Sequence, residues 1–256
     1  MPSQDAIGKD PKYGTGSSST DLLGERRDVW KSKEILRRLY TRWYGRIGQW
    51  CSTGRTLELG GGSGHLKEFF PKAVSTDVVY EPWLDAVVDA QTLPFKDECF
   101  GNIVLFDVLH HLSCPVAFFQ EAQRVLEIGG RIILMEPCVS ALSYPVYRFL
   151  HHEGLCMEEN PLAMTGTTGK DPFKGNQALP GLLFGRFRNE FVERFQRLKI
   201  IQERKLDFFV YPLSGGFHRP SLCPDSLFSV LMGLEHLLEP LSRFLAFRLF
   251  VVLEKT

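Results

Sequence analysis

The chain has 256 residues, 44% of them hydrophobic and 23% charged, with Lys+Arg and Asp+Glu balanced at 30 each. That apolar content supports a globular core of domain size, while zero net charge argues against DNA as a partner, because a general nucleic-acid binder needs excess positive charge to displace counterions. Six scattered cysteines without a C-x-x-C pair exclude a disulfide framework or zinc knuckle, and with no apolar run near ~18 residues and no apolar leader the expected setting is cytoplasmic.

Residues 1–24, rich in Gly, Ser, Lys and Asp, are expected to be flexible, and residues 25–256 to form one domain. From Arg26 to Trp50, Ile35, Leu36, Leu39, Tyr40, Trp43, Ile47 and Trp50 recur at helical spacing, predicting one or two amphipathic helices. Between Arg26 and Arg46 stand eight basic residues against Asp28 and Glu34. Such charges either face water or form a surface for the phosphates of RNA or anionic lipid.

An alternating section follows. Strands are predicted at 55–59, 73–79, 86–88, 102–106 and 131–136. Helices are predicted after Gly64, stopped by Pro71, and at 115–126, where "EIGG" reads as a C-terminal stop. Strands separated by helices imply an α/β, doubly wound parallel sheet with its core at 55–137, whose ligands bind beyond the carboxyl ends of the strands. Residues 138–188, dense in Gly, Thr and Pro, read as an inserted lid. A helix at 189–197, a strand at 198–210, a helix at about 225–238 and a strand at 247–253 complete a C-terminal section, 198–256. In it Leu227, Phe228, Val230, Leu231, Leu234, Leu237 and Leu238 cover more than one helix face. That pattern suits core, a homodimer interface, or contact with a hydrophobic substrate or membrane surface.

The first strand runs into "RTLELGGGSGHL" (residues 55–66). A P-loop would need Gly-Lys-Ser/Thr here, and a G-x-G-x-x-G register fails because its third glycine position is His65. What fits is E-x-G-x-G-x-G: Glu58, Gly60, Gly62 and Gly64. Glycines permit positive φ and let a ligand lie on bare backbone, while a carboxylate at Glu58 would repel phosphates and favour a cationic group. Taken alone, this is also a plain tight turn. Asp77, followed by Val78, lies 19 residues after Glu58, where an acid holds a ribose diol. Asp89 ends the third strand and can accept from an adenine amine, with Ala90 leaving room for the ring. Each acid singly reads as a solvated loop residue; together, at the ends of successive strands, they point to a nucleoside.

These segments, with "VLFDVLHHL" and "EAQRVLEIGGRIILMEP", resemble class I S-adenosylmethionine-dependent methyltransferases of the type 11 group, over residues 55–137. The resemblance implies a Rossmann-like, seven-stranded sheet with its last strand antiparallel, flanked by the N-terminal helices and the lid. It implies S-adenosyl-L-methionine as cofactor and S-adenosyl-L-homocysteine as product. Gly60, Gly62 and Gly64 would pass under the methionine and ribose, and Glu58 would hold the amino end. Asp77 would take the ribose hydroxyls, Asp89 and Ala90 the adenine, and Phe106 and Asp107 would line the methyl. One departure is Gly101, where relatives carry an acid after the residue matching Phe100; a different start to strand four is expected.

Methyl transfer from a sulfonium is an in-line displacement that chiefly requires alignment and exclusion of water. A base is needed only for an acceptor that holds its proton tightly. His110 and His111, beyond strand four, and Glu136, ending strand five, are the candidate bases, each also readable as structural. Tyr144, Tyr147, His151 and His152 sit on the insertion as substrate contacts or as packing. No metal is expected, because the contiguous His151, His152 and Glu153 would need ligands converging from elsewhere. The loop at 212–220 brings His218 and Arg219. The expected function is methylation, at oxygen, of a small-molecule or lipid/sugar-linked acceptor. RNA methylation and a non-catalytic cofactor-binding module are the alternatives.

Overall fold

The computed structural model describes residues 19–163 and 173–256. In chain order they form α1 (Ser19–Ser32), α2 (Glu34–Trp50), β1 (Thr56–Leu59), α3 (Leu66–Phe69), β2 (Val74–Asp77), β3 (Ala86–Val87) and β4 (Phe100–Phe106). Next come a 3-10 turn (Leu109–His111), α4 (Pro115–Val125), β5 (Leu126–Pro137), α5 (Ser143–Phe149), α6 (Leu179–Gly181) continued by a π turn (Leu182–Arg186), and α7 (Arg188–Arg194). The chain closes with β6 (Leu198–Leu206), α8 (Val210–Ser214), α9 (Phe228–Leu237), α10 (Ser242–Leu245) and β7 (Arg248–Lys255).

The strands make one seven-stranded sheet in the order β3-β2-β1-β4-β5-β7-β6. β1 to β5 pair in parallel, and β7 runs antiparallel to both β5 and β6. Both faces are covered, which explains why the central strands read as continuous apolar runs. Along β5, Ile132 and Leu134 join the cluster under α4 and α7, whereas Ile133 and Met135 join the cluster under α2, α8 and α9. β7 alternates likewise, with Val251 and Leu253 on the first face and Phe250 and Val252 on the second.

Several expectations change. Residues 19–24 belong to α1, and Leu23 is buried; the rest of the segment expected to be flexible lies outside the described residues. "EIGG" does not merely stop a helix: β5 starts at Leu126 and absorbs it, with Gly129 at φ 76°. β4 starts at Phe100, two residues before the expected 102, and a side chain at Gly101 would put its Cβ 2.2 Å from the carbonyl oxygen of Thr53. β6 ends at Leu206, after which the chain turns into α8 rather than continuing to 210. The insertion is not structureless, since it holds α5, α6 and the π turn; its residues 164–172 lie outside the described set.

Register places the site. Pro137, Arg248 and Leu206 are cross-strand partners at the carboxyl edge, the edge where β1 and β4 also end. The chain therefore leaves β5 toward α5, and runs from β6 through α8, α9 and α10 to β7, from that one edge. Two insertions cap the site.

Candidate active site

The glycine loop opens directly off β1, as expected. Gly60, Gly62 and Gly64 all have positive φ, at 70°, 48° and 75°. Their surroundings differ. A Cβ at Gly60 would sit 2.2 Å from Val108 and one at Gly64 2.6 Å from Trp83, so packing alone demands those two glycines. A Cβ at Gly62 would meet Leu23 of α1 at 3.7 Å, an ordinary van der Waals contact. Packing therefore does not demand a glycine there, and its positive φ is what favours one.

Asp77, at the end of β2, accepts the Gly62 amide at 2.8 Å and the Val79 amide at 3.0 Å. It thus ties its own strand end to the loop at Gly62. Val78 next to it is exposed. Asp89 folds into a turn, accepting from the Gln91 backbone and side chain, and Ala90 is buried beside it. Glu81, which the sequence reading missed, is buried four residues past Asp77, and neither carboxylate oxygen has a hydrogen-bond partner among the described residues. Burial, then the charge of Asp77, raise its pKa. Its signal in sequence was only its spacing from Asp77.

Glu58 needs correction. It is buried, accepts from the Ser75 hydroxyl, and lies against Gly61, where a Cβ would be 3.0 Å from its carboxylate. It braces the loop from behind instead of standing at the mouth. Burial raises its pKa to about 7. A carboxyl with a raised pKa binds its proton more tightly when folded, so stability is full below about pH 4.5 and declines as pH rises through about 7. At 1.36 kcal/mol per pKa unit the loss is on the order of 3 kcal/mol. Glu58→Gln keeps an acceptor for Ser75, so denaturant unfolding at pH 5 and pH 8 should show a flatter profile for the variant; parallel profiles would refute the assignment.

α1 roofs the loop. Arg27 stacks 4.4 Å over Trp83, Trp30 stacks on His65 at 4.0 Å, and the Trp30 indole donates to Glu68. The basic residues of the N-terminal helices are largely spent inside the molecule. Lys33 donates to the carbonyls of Gly216 and Arg219, Arg38 to that of Asp225, and Arg37 pairs with Glu34.

Past β4, Phe106 stacks on Tyr40, and Asp107 (φ 57°) accepts from Arg248 at 2.6 Å. Arg248 is fully buried among Trp43, Phe106 and Tyr211, each about 5 Å from the guanidinium.

The three candidate bases come together, but not as equals. Glu136 accepts the amides of Val108 and Leu109 on one oxygen and the His110 Nδ1 proton at 2.7 Å on the other. Buried and fully engaged, it positions the post-β4 turn. His110, also buried, bridges Glu136 and Glu153, its Nε2 lying 3.1 Å from the latter. Burial opposes its protonation, but those two carboxylates prevail and lift its pKa to about 10. That leaves His111, 19% exposed, with Nε2 3.8 Å from Glu153. Glu153 and Gln177, which donates to it, come from the insertion; Glu153 stood out in sequence only beside His151 and His152, and Gln177 not at all. The loop at 212–220 arrives as expected, with His218 packed 4.8 Å from His152.

A cleft of about 250 Å³ between α2, β6 and α9, lined by Arg42, Arg204, Asp207 and Glu235 among others, includes no residue of the glycine loop. All six cysteines are free thiols. No helix among the described residues is long and apolar enough to cross a membrane.

The methyltransferase domain family model matches residues 57–134. The uncharacterized protein MJ1123 of Methanocaldococcus jannaschii is 29% identical over 122 residues; the match covers 44% of this chain, and the chain spans 58% of that protein's length. Among solved structures, an S-adenosylmethionine-dependent methyltransferase from Archaeoglobus fulgidus superposes with a TM-score of 0.53 at 13% identity, over 86% of this chain and 94% of that one. A geranyl diphosphate C-methyltransferase from Streptomyces coelicolor, in complex with Mg²⁺, geranyl diphosphate and S-adenosyl-L-homocysteine, gives a TM-score of 0.44 at 12% identity, over 86% and 78%. The match to the methyltransferase domain family model thus runs from β1 to β5, and the likeness to the Archaeoglobus fulgidus structure extends to the fold.

Proposed function

We propose that this protein transfers a methyl group from S-adenosylmethionine to an oxygen of a small-molecule or lipid/sugar-linked acceptor. The observation that carries the reading is the junction of Asp77 with Gly62: a carboxylate at the end of β2, bonded to the amide of a positive-φ glycine in the loop that leaves β1. The residues fit the cofactor. Asp77 and the unpartnered Glu81 offer acceptors for ribose hydroxyls, Asp89 and Ala90 would flank the adenine, and Phe106 and Asp107 stand on the methyl side. The cofactor supplies an activated methyl on a sulfonium. The chain's part is to align it, exclude water beneath α1 and the two insertions, and receive the acceptor's proton. His111, beside Glu153, is the candidate base with a route to solvent; His110 and Glu136 act as positioning residues. Calorimetric titration with S-adenosylmethionine and S-adenosylhomocysteine tests the reading. Binding of neither would end it.

RNA as acceptor is disfavoured because Lys33, Arg37 and Arg38 already serve internal partners. The acceptor class is suggested by a different surface. Leu227, Val230, Leu234, Leu237, Leu241 and Phe244 recur at helical spacing along α9 and α10, and all are exposed. The core reading holds for Phe228, which is buried, and for Leu231 and Leu238, which pack against the two core clusters, but not for this exposed face. The stripe continues toward α5, where the Leu142 amide binds the Phe244 carbonyl and Phe149 and Leu150 are exposed. Arg243 lies within it, and Arg42 contacts Met232 of α9 from below. An apolar stripe edged by arginines beside the acceptor side suits an anionic bilayer presenting a lipid-linked acceptor. The double variant Leu237→Glu/Phe244→Glu should abolish flotation with phosphatidylglycerol vesicles, with its melting point within a few degrees of wild type. A dimer that the same variant dissociates, with flotation unchanged, would instead assign the stripe to a second copy.

A further inference from the structure

Five of the chain's seven histidines, His110, His111, His151, His152 and His218, gather around one carboxylate, Glu153. We propose that His110, His111, His152 and Glu153 form a binding site for a divalent transition-metal ion of the zinc class, placed to receive the acceptor's oxygen. The role given to the ion rests on the methyl-transfer reading above; the site itself does not.

The donor set is imidazole nitrogen with carboxylate oxygen, which suits zinc, cobalt or nickel better than magnesium or calcium, whose ligands are oxygens. Ligand atoms of His110, His111 and Glu153 lie within 4.8 Å of one another. His110 Nε2 is 3.1 Å, His152 Nε2 3.5 Å and His111 Nε2 3.8 Å from a Glu153 oxygen. Tetrahedral bonds of 2.0–2.2 Å put neighbouring donors roughly 3.3–3.5 Å apart; His110, His111 and Glu153, within 4.8 Å of one another, would close on an ion by shifts of about an ångström, and His152, 3.5 Å from Glu153, would turn in as the fourth ligand. Three contiguous residues rarely all reach one ion, but here the ligands come from two places: the 3-10 turn after β4 and the segment after α5.

The surroundings are those of a prepared site. Glu136 holds Nδ1 of His110 at 2.7 Å and so directs Nε2 toward the cluster, the carboxylate–histidine–metal arrangement by which outer carboxylates orient ligands. Gln177 donates to Glu153. The strand of chain at 175–177 is pressed onto the two histidines: the Asn176 amide binds the His110 carbonyl, and a Cβ at Gly175 would fall 2.7 Å from the His110 ring and 3.1 Å from that of His111. A closed structural site would seal all its ligands. In this one His111 is 19% and His152 40% exposed, leaving one side open to an incoming oxygen. An ion there would lower the pKa of an acceptor hydroxyl and release its proton to solvent, so that with the ion bound His111 serves as a ligand in place of its role as base.

The test uses the full chain, stripped with chelator and titrated with Zn²⁺ by calorimetry and with Co²⁺ by visible absorption. The expected result is one ion per chain, a raised melting temperature, and tetrahedral cobalt bands. His152→Ala, at an exposed position, should weaken binding ~10-fold, and Glu136→Gln 10- to 100-fold, the usual effect of removing an outer carboxylate. Cys156→Ser, which removes the exposed thiol, should change nothing. Absence of stoichiometric binding, binding indifferent to His152→Ala and Glu136→Gln, or binding lost with Cys156→Ser overturns the proposal. S-adenosylhomocysteine titrated into the same preparations reads the cofactor site separately, so failure of the metal site with that binding intact rejects this inference alone.

Discussion

Arg248→Ala is expected to lower the melting temperature of this protein by about 10 °C. The guanidinium is among the largest fully buried groups in the chain, and it does three things at once. It pairs with Asp107 at 2.6 Å, donates to the Met135 carbonyl at 3.3 Å, and fills the space between Trp43, Phe106 and Tyr211. Removing one partner of a buried pair costs roughly 3–5 kcal/mol. Here the lower part of that range applies, because the Asp107 side chain is 34% exposed and water can take over part of the lost contact. The stacked aromatic faces and the cavity account for most of the remainder. At about 2–4 °C per kcal/mol for a chain of this size, the shift lands near 10 °C. Arg248→Met restores volume and should recover about half; Asp107→Asn, which leaves the fully buried guanidinium without its counter-charge, should cost about as much as Arg248→Ala. A drop under about 3 °C for Arg248→Ala would mean that the cage does not depend on its cation.

The consequence is not confined to stability. Asp107 adopts a left-handed backbone that a non-glycine residue enters at a cost, and Arg248 is what holds its carboxylate. β7 therefore does more than close the sheet: its first residue fixes the turn after β4 from the opposite strand direction.

That link was not legible in sequence. Arg248 opens a run, "FRLFVVLEK", whose apolar alternation announces a strand and nothing else. What was legible is whatever local chemistry dictates. The glycine spacing after β1 gave the positive-φ loop because only glycine enters those conformations freely. The acids at 77 and 89 declared the strand ends because each follows an apolar run that stops. The parallel sheet followed from helices alternating with strands. By contrast, α1 begins in "SSSTDLLGERRD", a stretch with the composition of a loop; it is helical because Leu23 and Trp30 find apolar surface over the glycine loop and His65, a tertiary cause that propensity does not contain. Glu153 and His110 are 43 residues apart and meet only because the insertion folds back over the post-β4 turn. Glu58 misled for the same reason: its spacing was right, but which way a carboxylate faces depends on Ser75, a neighbour on the next strand.

Asp77→Ala weakens S-adenosylhomocysteine binding by about 10²–10³-fold, and this is the largest effect expected on function. A ribose diol would place two hydroxyl donors on one carboxylate, and hydrogen bonds to a charged group contribute about 1.5–3 kcal/mol each; their loss together is on the order of 3–4 kcal/mol, or two to three decades. Part of the effect is indirect. Asp77 also accepts the amides of Gly62 and Val79, so alanine releases the loop as well as the ligand. Asp77→Asn separates the two, since it keeps one acceptor for the turn while removing the charge; it should lose about tenfold with an unchanged melting temperature. Glu81→Gln provides the converse control. Its carboxylate is buried with no partner among the described residues, so neutralising it should leave stability equal or higher, while affinity falls if the second carboxylate shares the hydroxyls. If calorimetry finds Asp77→Ala binding within threefold of wild type, the end of β2 does not hold the nucleoside, and the glycine loop would have to be read again as a turn.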